Sequence, residues 1–149
     1  MLDGTREDVQ VFDAKGAYLA TFGDTGSGRI GCPSGILVHE DRVLVSEGCD
    51  VHGISEFKTD GAFVQRVRSA DFGNNADIEL GPDGRLYIAD WDGAIKVVDL
   101  ETLSVVAAVK VGVGYPASTV QGLAVLPDGR LVAAEWNFNK AEIFAAPPE

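Results

Sequence analysis

Short apolar runs separated by polar turn residues extend along the whole chain, and their lengths predict strands. Between residues 35 and 68 the runs are bounded by turn sequences such as Thr59-Asp60-Gly61, in which glycine supplies a positive φ. No window places apolar residues at helical spacing. The pattern therefore predicts an all-β protein. The strands predicted in this segment cover residues 35–39, 43–47, 53–57 and 63–68.

A second segment repeats the same order of strands and turns. The turn Pro82-Asp83-Gly84 recurs as Pro127-Asp128-Gly129, where proline fixes φ and glycine permits a positive φ. The first strand of each unit is the most apolar, and the later strands alternate. This predicts that strand one lines a central axis and that strand four faces solvent. The strands predicted here cover residues 77–80, 86–90, 94–99 and 105–111.

The strands belong to a repeat. One motif occurs four times at intervals of roughly 41 to 46 residues, a period typical of β-propeller blades with four strands each. Its copies are residues 9–12, 54–57, 95–98 and 141–144, and a second motif precedes it at residues 42–47, 85–90 and 130–135. The repeat divides a single domain, residues 1–149, into units 9–23 (partial), 33–68, 76–111 and 120–146 (partial).

The number of repeats does not close a ring. Propellers have four to eight blades, and this chain supplies about three and a quarter. The chain is therefore either a piece of a longer propeller or half of a two-fold dimer. In the dimer, the N-terminal outer strands of one copy would complete the C-terminal inner strands of the other, which gives six blades.

The amino-acid sequence of the repeats resembles that of the NHL family of six-bladed propellers, and the resemblance extends from about residue 9 to residue 144. It rests on Val11-Phe12-Asp13, Phe22-Gly23, Pro33-Ser34-Gly35-Ile36 and Leu86-Tyr87-Ile88-Ala89-Asp90. The polar trio that often follows strand two in the family is replaced, in two blades, by residues 49–52 and 91–93. The resemblance implies a module that binds proteins, as NHL propellers do when they recruit ubiquitin-ligase substrates or scaffold signalling proteins.

The charge and composition of the chain limit the classes of partner that it is expected to bind. A formal net charge of −11 argues against nucleic acid, because phosphate binding needs a basic face, and favours a protein partner with a basic surface. No apolar stretch is long enough to cross a bilayer, and the polar, acidic N-terminus does not resemble a secretory signal. We therefore expect a soluble protein without a membrane partner, located in the cytoplasm.

The candidate binding site is the propeller face made by the loops that enter strand one and those that join strands two and three. Aromatic and polar residues gather in these loops, which is the composition of a binding surface. A competing interpretation is that Trp91 and Trp136, which hold the same repeat position, pack between blades. The predicted rim residues are Phe72, Asn75, Trp91, Asp92, Tyr115, Gln121, Trp136 and Phe138.

Metal sites are alternatives to simple binding. Cys32, Cys49 and His52 share one end of one blade and suit zinc, but a fourth ligand is missing, and a structural cysteine pair or plain core thiols explain the cysteines better. Asn75, Asp77 and other acids offer oxygen ligands for calcium. The segment 75–78 resembles the metal-binding segments of gluconolactonase-type propellers, which implies a calcium-dependent hydrolase or lyase as the alternative function.

Other chemistry has little support in the sequence. Residues 26–31 spell a dinucleotide-binding glycine pattern, but a strand follows them instead of the helix that the pattern requires. The chain has two histidines and no Gly-x-Ser-x-Gly motif, so nucleophilic catalysis is not indicated. The sequence thus favours a scaffold module that has no catalytic residues and no cofactor.

Overall fold

The computed structural model describes residues 1–49, 51–111 and 119–145. Its regular structure consists of β-strands and one 3-10 turn, Gly26–Gly28. The strands are β1 (Leu2–Asp3), β2 (Asp8–Phe12), β3 (Tyr18–Phe22), β4 (Pro33–His39), β5 (Arg42–Glu47), β6 (Gly53–Lys58), β7 (Phe63–Arg68), β8 (Asn75–Leu80), β9 (Leu86–Asp90), β10 (Ala94–Val98), β11 (Val105–Lys110), β12 (Val120–Val125), β13 (Leu131–Glu135) and β14 (Lys140–Phe144).

The strands form four antiparallel sheets in which sequence neighbours pair. Two complete blades have the orders β4-β5-β6-β7 and β8-β9-β10-β11, and the end sheets have three strands each, β1-β2-β3 and β12-β13-β14. The all-β prediction is confirmed, and the strand bounds predicted for the two complete blades lie within two residues of the observed ones. The sequence analysis missed β1, because a two-residue strand is too short to show a period.

Tight turns fix the register where the sequence predicts them. Gly84 and Gly129 adopt φ of 78° and 82°, a region that residues with a side chain rarely occupy. The N–H of Gly81 donates to the carbonyl of Arg85 across the first of these turns, at 2.9 Å. Leu126 and Arg130 make the same bond across the second, at 2.8 Å. The two hairpins are thus copies of one structure.

Strand one is less buried than the two middle strands of its blade. In the complete blades the two middle strands are the most buried, and every residue of β9 and β10 is buried. Strand one is only half-buried, as in β8, because it packs against the first strands of the adjacent blades and lacks a second neighbour within its own sheet. The outer strands β7 and β11 are largely exposed, as predicted.

The hydrophobic core lies between successive sheets. Leu44 and Ile54 of one blade pack with Ile78, Leu86 and Ile88 of the next. Similar clusters join the first sheet to the second and the third to the fourth. Burial of aliphatic side chains, worth about 1.5 to 3 kcal/mol for each, is therefore the main attraction between blades.

Polar contacts add to the blade interfaces. Arg42 donates to the carboxylate of Glu56 at 2.7 Å within its blade and to the carbonyl oxygen of Leu100 in the next blade at 2.9 Å. Burial tends to raise the pKa of Glu56, but the hydrogen bonds from Arg42 and Gln65 outweigh it and lower the pKa below its usual value. Glu56 is therefore a charged group held inside the interface.

Candidate binding face

The loops that enter strand one and those that join strands two and three lie at one edge of the sheets. In the antiparallel register, the first residue of strand one pairs with the last residue of strand two, as in Pro33 with Glu47 and Asn75 with Asp90. Val120 pairs with Glu135 in the same way. We call this edge the top face, and it is the face that the sequence analysis selected.

A buried carboxylate ends strand two in three successive sheets. Glu47 and Asp90 are 0% exposed and Glu135 is 3% exposed. Each lies near a cation of its own sheet: Arg66 at 3.0 Å, Lys96 at 3.9 Å and Lys140 at 3.4 Å. The cation compensates the cost of burying the charge.

Two of these carboxylates also hold the loop that enters strand one. The backbone N–H of Gly31 donates to Glu47 at 2.7 Å, and that of Gly73 donates to Asp90 at 2.6 Å. Ser55 donates a further hydrogen bond to Glu47. These acids are therefore anchors of the top loops, a role that the repeated Glu or Asp in the sequence could have indicated.

The residue after the anchor is tryptophan in two sheets. The N–H of Trp91 donates to Asn74 O and that of Trp136 donates to Thr119 O, both at 3.1 Å. These bonds fix the backbone while the indoles point outward, with exposures of 48% for Trp91 and 68% for Trp136. At these exposures neither tryptophan is packed between blades.

The two tryptophans border a cleft of about 330 Å³ on the top face. It brings together Trp91, Gln121 and Trp136 from the predicted rim, and Thr119 and Asn137 also line it. The hydroxyl of Thr119 is buried and has no hydrogen-bond partner in the part of the chain that the structure describes. Thr119 and Asn137 lie in loops that the sequence assigns to this face, but the sequence did not single them out, because small polar residues in loops carry no pattern.

The other predicted rim residues that the structure describes do not line this cleft. Phe72 is 3% exposed within the hydrophobic core, so it is not a rim residue. Asn75 is equally buried, and its amide donates to Gly53 O at 3.0 Å in the preceding blade. Asp92 is exposed and binds Lys96 at 2.5 Å. Phe138 is half-buried, 5.8 Å from the Lys140 ammonium, and Tyr115 lies outside the described residues.

The candidate zinc ligands are occupied by other bonds. Cys32 and Cys49 form a disulfide with a Cα–Cα distance of 5.9 Å, so neither sulfur is a thiolate. Zinc coordination by this pair does not fit the structure, and the alternative of a structural cysteine pair is confirmed. Disulfides are typical of proteins in oxidising compartments, and the cytoplasmic location stays a prediction.

The candidate calcium ligands do not converge either. Asp77 accepts the backbone N–H of Leu123 in the next blade at 3.0 Å and that of Ile78 at 2.9 Å. Among the described residues, no group of three or more His, Cys, Asp or Glu side chains is placed to hold a metal ion. Asp77 thus acts as a link between the first strands of two blades.

His52 lies beside the disulfide in an unusual backbone conformation. Cys32, Cys49 and His52 all have φ between 46° and 49°, which is uncommon for residues other than glycine. The Nδ1 atom of His52 is 2.6 Å from the carbonyl oxygen of Gly73. Because a carbonyl oxygen only accepts, Nδ1 carries a proton and donates it to this bond.

Four successive antiparallel sheets packed face to face, with the first strands β4, β8 and β12 adjacent, define this chain as part of a β-propeller. The structure is similar to a catalytically inactive histidine-to-alanine variant of virginiamycin B lyase from Staphylococcus aureus with quinupristin, with a TM-score of 0.72 and 18% identity. A streptogramin B lyase gives 0.69 and 15%, and a protein of unknown function from Bacteroides caccae gives 0.64 and 20%. These likenesses show the fold alone.

The chain matches no protein-family model and no curated protein. The three solved structures are covered over 51%, 50% and 47% of their length by 98%, 97% and 84% of this chain, respectively. The chain thus spans about half of each. In the described part, no helix is long and apolar enough to cross a membrane.

Proposed function

We propose that this chain is an NHL-type protein-interaction module that binds a basic segment of its partner in the top-face cleft. The observation that carries the proposal is the presence of two exposed tryptophans on one cleft. Large exposed aromatic side chains are typical of the centre of protein interfaces. The resemblance of the repeat sequences to NHL repeats supports a scaffold role.

The exposed indoles and the negative net charge both favour a partner segment with Lys or Arg side chains. Indole faces attract guanidinium and ammonium groups, with about 0.5 to 2 kcal/mol for each contact. The net charge of −11 draws basic segments toward the surface and speeds association at low salt. The polar groups of Thr119, Gln121 and Asn137 in the cleft wall offer hydrogen bonds to a bound peptide.

Tryptophan fluorescence tests the proposal directly. The chain has two tryptophans and both line the cleft, so the emission reports on the cleft alone. Titration with a Gly-Arg repeat peptide is expected to shift the emission with a saturable, salt-sensitive curve. A Gly-Glu repeat peptide is the matched control and is expected to leave the emission unchanged.

Variants separate cleft binding from a general charge effect. Trp136→Ala is expected to weaken binding of the Gly-Arg peptide about tenfold or more, whereas Val64→Ala, an exposed residue of β7, is expected to have no effect. Trp91 remains as the fluorophore in both proteins. Equal affinity of the two variants, or binding of both peptides, would reject the cleft as the site.

A second candidate is acid–base chemistry at His52, as part of a hydrolase or lyase. The hydrogen bond from Nδ1 to Gly73 O favours it, because it fixes the orientation of the ring, and a general base must be positioned in this way. Two of the similar structures are lyases, and one is described as inactive after a histidine was replaced.

The enzyme candidate is tested with the compound bound in the similar structure. Incubation with quinupristin, with and without added calcium, followed by mass spectrometry, would show turnover, and His52→Asn should abolish it. An unchanged compound under both conditions removes the lyase for this substrate. A parallel thermal-shift measurement with calcium and a lactone hydrolysis assay test the calcium-dependent form.

A further inference from the structure

The blades pack by one rule along the whole chain, and the rule exposes a face at each end. We call the side of a sheet that packs on the following sheet its leading face, and the opposite side its trailing face. The leading face of the third sheet includes Tyr87, Ala89, Ile95 and Val97, which are at most 2% exposed. They pack on the fourth sheet, where Leu123, Leu131 and Ala133 form the trailing face.

The fourth sheet has the corresponding leading face but nothing packed on it in the described chain. Val132 pairs with Ile143 and Ala134 pairs with Ala141, in the register that Tyr87–Val97 and Ala89–Ile95 show one blade earlier. Ile143 is 61% exposed, whereas its equivalent Val97 is fully buried. In each earlier sheet of the chain, the corresponding face is covered by the trailing face of the next sheet. In the fourth sheet this apolar face is exposed.

The first sheet has the complementary surface. Phe12 and Tyr18 pair across β2 and β3, and their rings meet edge to face at 5.9 Å. The second sheet contains the same arrangement in Phe57 and Phe63, whose ring centroids are 5.5 Å apart. Phe57 is buried because Phe22 of the preceding sheet packs on it, at 5.1 Å. In contrast, Phe12 and Tyr18 are 39% and 59% exposed.

We infer that a second copy of this chain closes the ring, with the leading face of each fourth sheet packed on the trailing face of the partner's first sheet. Both faces expose large apolar side chains, Ile143 on one and Phe12 and Tyr18 on the other, and two head-to-tail contacts related by a two-fold axis complete a ring. The ring contains eight sheets, within the range that propellers adopt.

Face-to-face packing differs from edge-to-edge completion of a blade. Strand three of the repeat is present in both end sheets, as β2, which pairs with β1 and β3, and as β14, which pairs with β13. Fusion of the two end sheets into one four-stranded blade would leave one of these strands without a place. The inferred contact keeps all fourteen strands of each copy where the structure has them.

The mass in solution tests this inference, which does not depend on the proposed function. Size-exclusion chromatography with light scattering is expected to give twice the mass of the single chain. Ile143→Glu places a carboxylate in the contact and is expected to raise the dissociation constant at least about 100-fold. Val106→Glu is the matched control, an exposed valine on the outer strand of an internal blade, and is expected to stay dimeric.

A variant at the other face distinguishes this ring from a symmetric contact between two leading faces. Phe12→Glu is expected to weaken the dimer as much as Ile143→Glu, since both residues belong to the same head-to-tail contact. A dimer that resists Phe12→Glu, a chain that is monomeric, or aggregates without a defined mass would each overturn the inference. Near-ultraviolet circular dichroism establishes that the variants remain folded.

Discussion

The loops that follow strand two in the second and third sheets begin alike and then diverge. Both start from a fully buried carboxylate, Glu47 or Asp90, that accepts the N–H of the loop entering strand one. In the second sheet Gly48 and the disulfide-bonded Cys49 follow, whereas in the third sheet an exposed tryptophan follows. The comparison separates a position that maintains the blade from the adjacent position, which is open to solvent and to variation.

Removal of the anchor tests the first half of this comparison and should have the largest effect. Glu47→Ala leaves the guanidinium of Arg66, which is 17% exposed, without its carboxylate, and Gly31 N–H without its acceptor. We expect a loss of about 3 to 5 kcal/mol in the free energy of unfolding, measured by urea denaturation. Glu47→Gln keeps the shape and should lose less. A loss below about 1 kcal/mol would show that the anchor is dispensable.

Removal of the disulfide measures how much this bond, which is found in the loop of the second sheet, stabilises the protein. Cys32 and Cys49 are separated by 17 residues, and closing a loop of this size stabilises a protein by about 3 kcal/mol. Cys49→Ser is expected to lower the melting temperature, and a reductant should lower that of the wild type by a similar amount. A wild-type melting temperature that does not respond to reductant would contradict this.

Removal of a tryptophan tests the second half of the comparison. Trp91→Ala and Trp136→Ala should each change the free energy of unfolding by less than about 1 kcal/mol, because much of each side chain lies in solvent. Chemical denaturation followed by far-ultraviolet circular dichroism measures this. A loss as large as that of Glu47→Ala would make tryptophan a structural residue like the anchor.

The smallest expected effect concerns an acid that lies beside another acid. Burial and then the nearby charge of Asp77 raise the pKa of Glu79 above its usual value. Folding thus favours the protonated form, so its contribution is fully present below the unfolded-state pKa and is lost as the pH rises through the folded-state pKa. Glu79→Gln should raise the melting temperature at neutral pH by up to about 3 °C, and the gain should vanish in acid. An equal gain at both pH values would contradict the assignment.

The fold was predictable because each repeat contains short sequence motifs that specify its strands and turns. The Pro-Asp-Gly turns and the strand motifs 85–90 and 130–135 place the strands without any long-range information. Burial was harder to predict, since it depends on the neighbouring sheet: Val97 and Ile143 hold the same repeat position, but one is buried and the other exposed. The sequence likewise could not show that Phe72 turns into the core while Trp91, in the facing loop, turns outward.

The open arrangement of sheets also bears on how the molecule opens and recloses. Each sheet contacts the sheets next to it, so stability adds up along the row as it does in other repeat proteins. Amide hydrogens of β9 and β10, covered on both faces, should exchange the slowest. Those of β3 and β14 should exchange many times faster, through local opening of the row at its ends. If two copies close the ring, amide hydrogens of both end sheets should exchange more slowly as the protein concentration rises. The residues that become protected would then identify the contact.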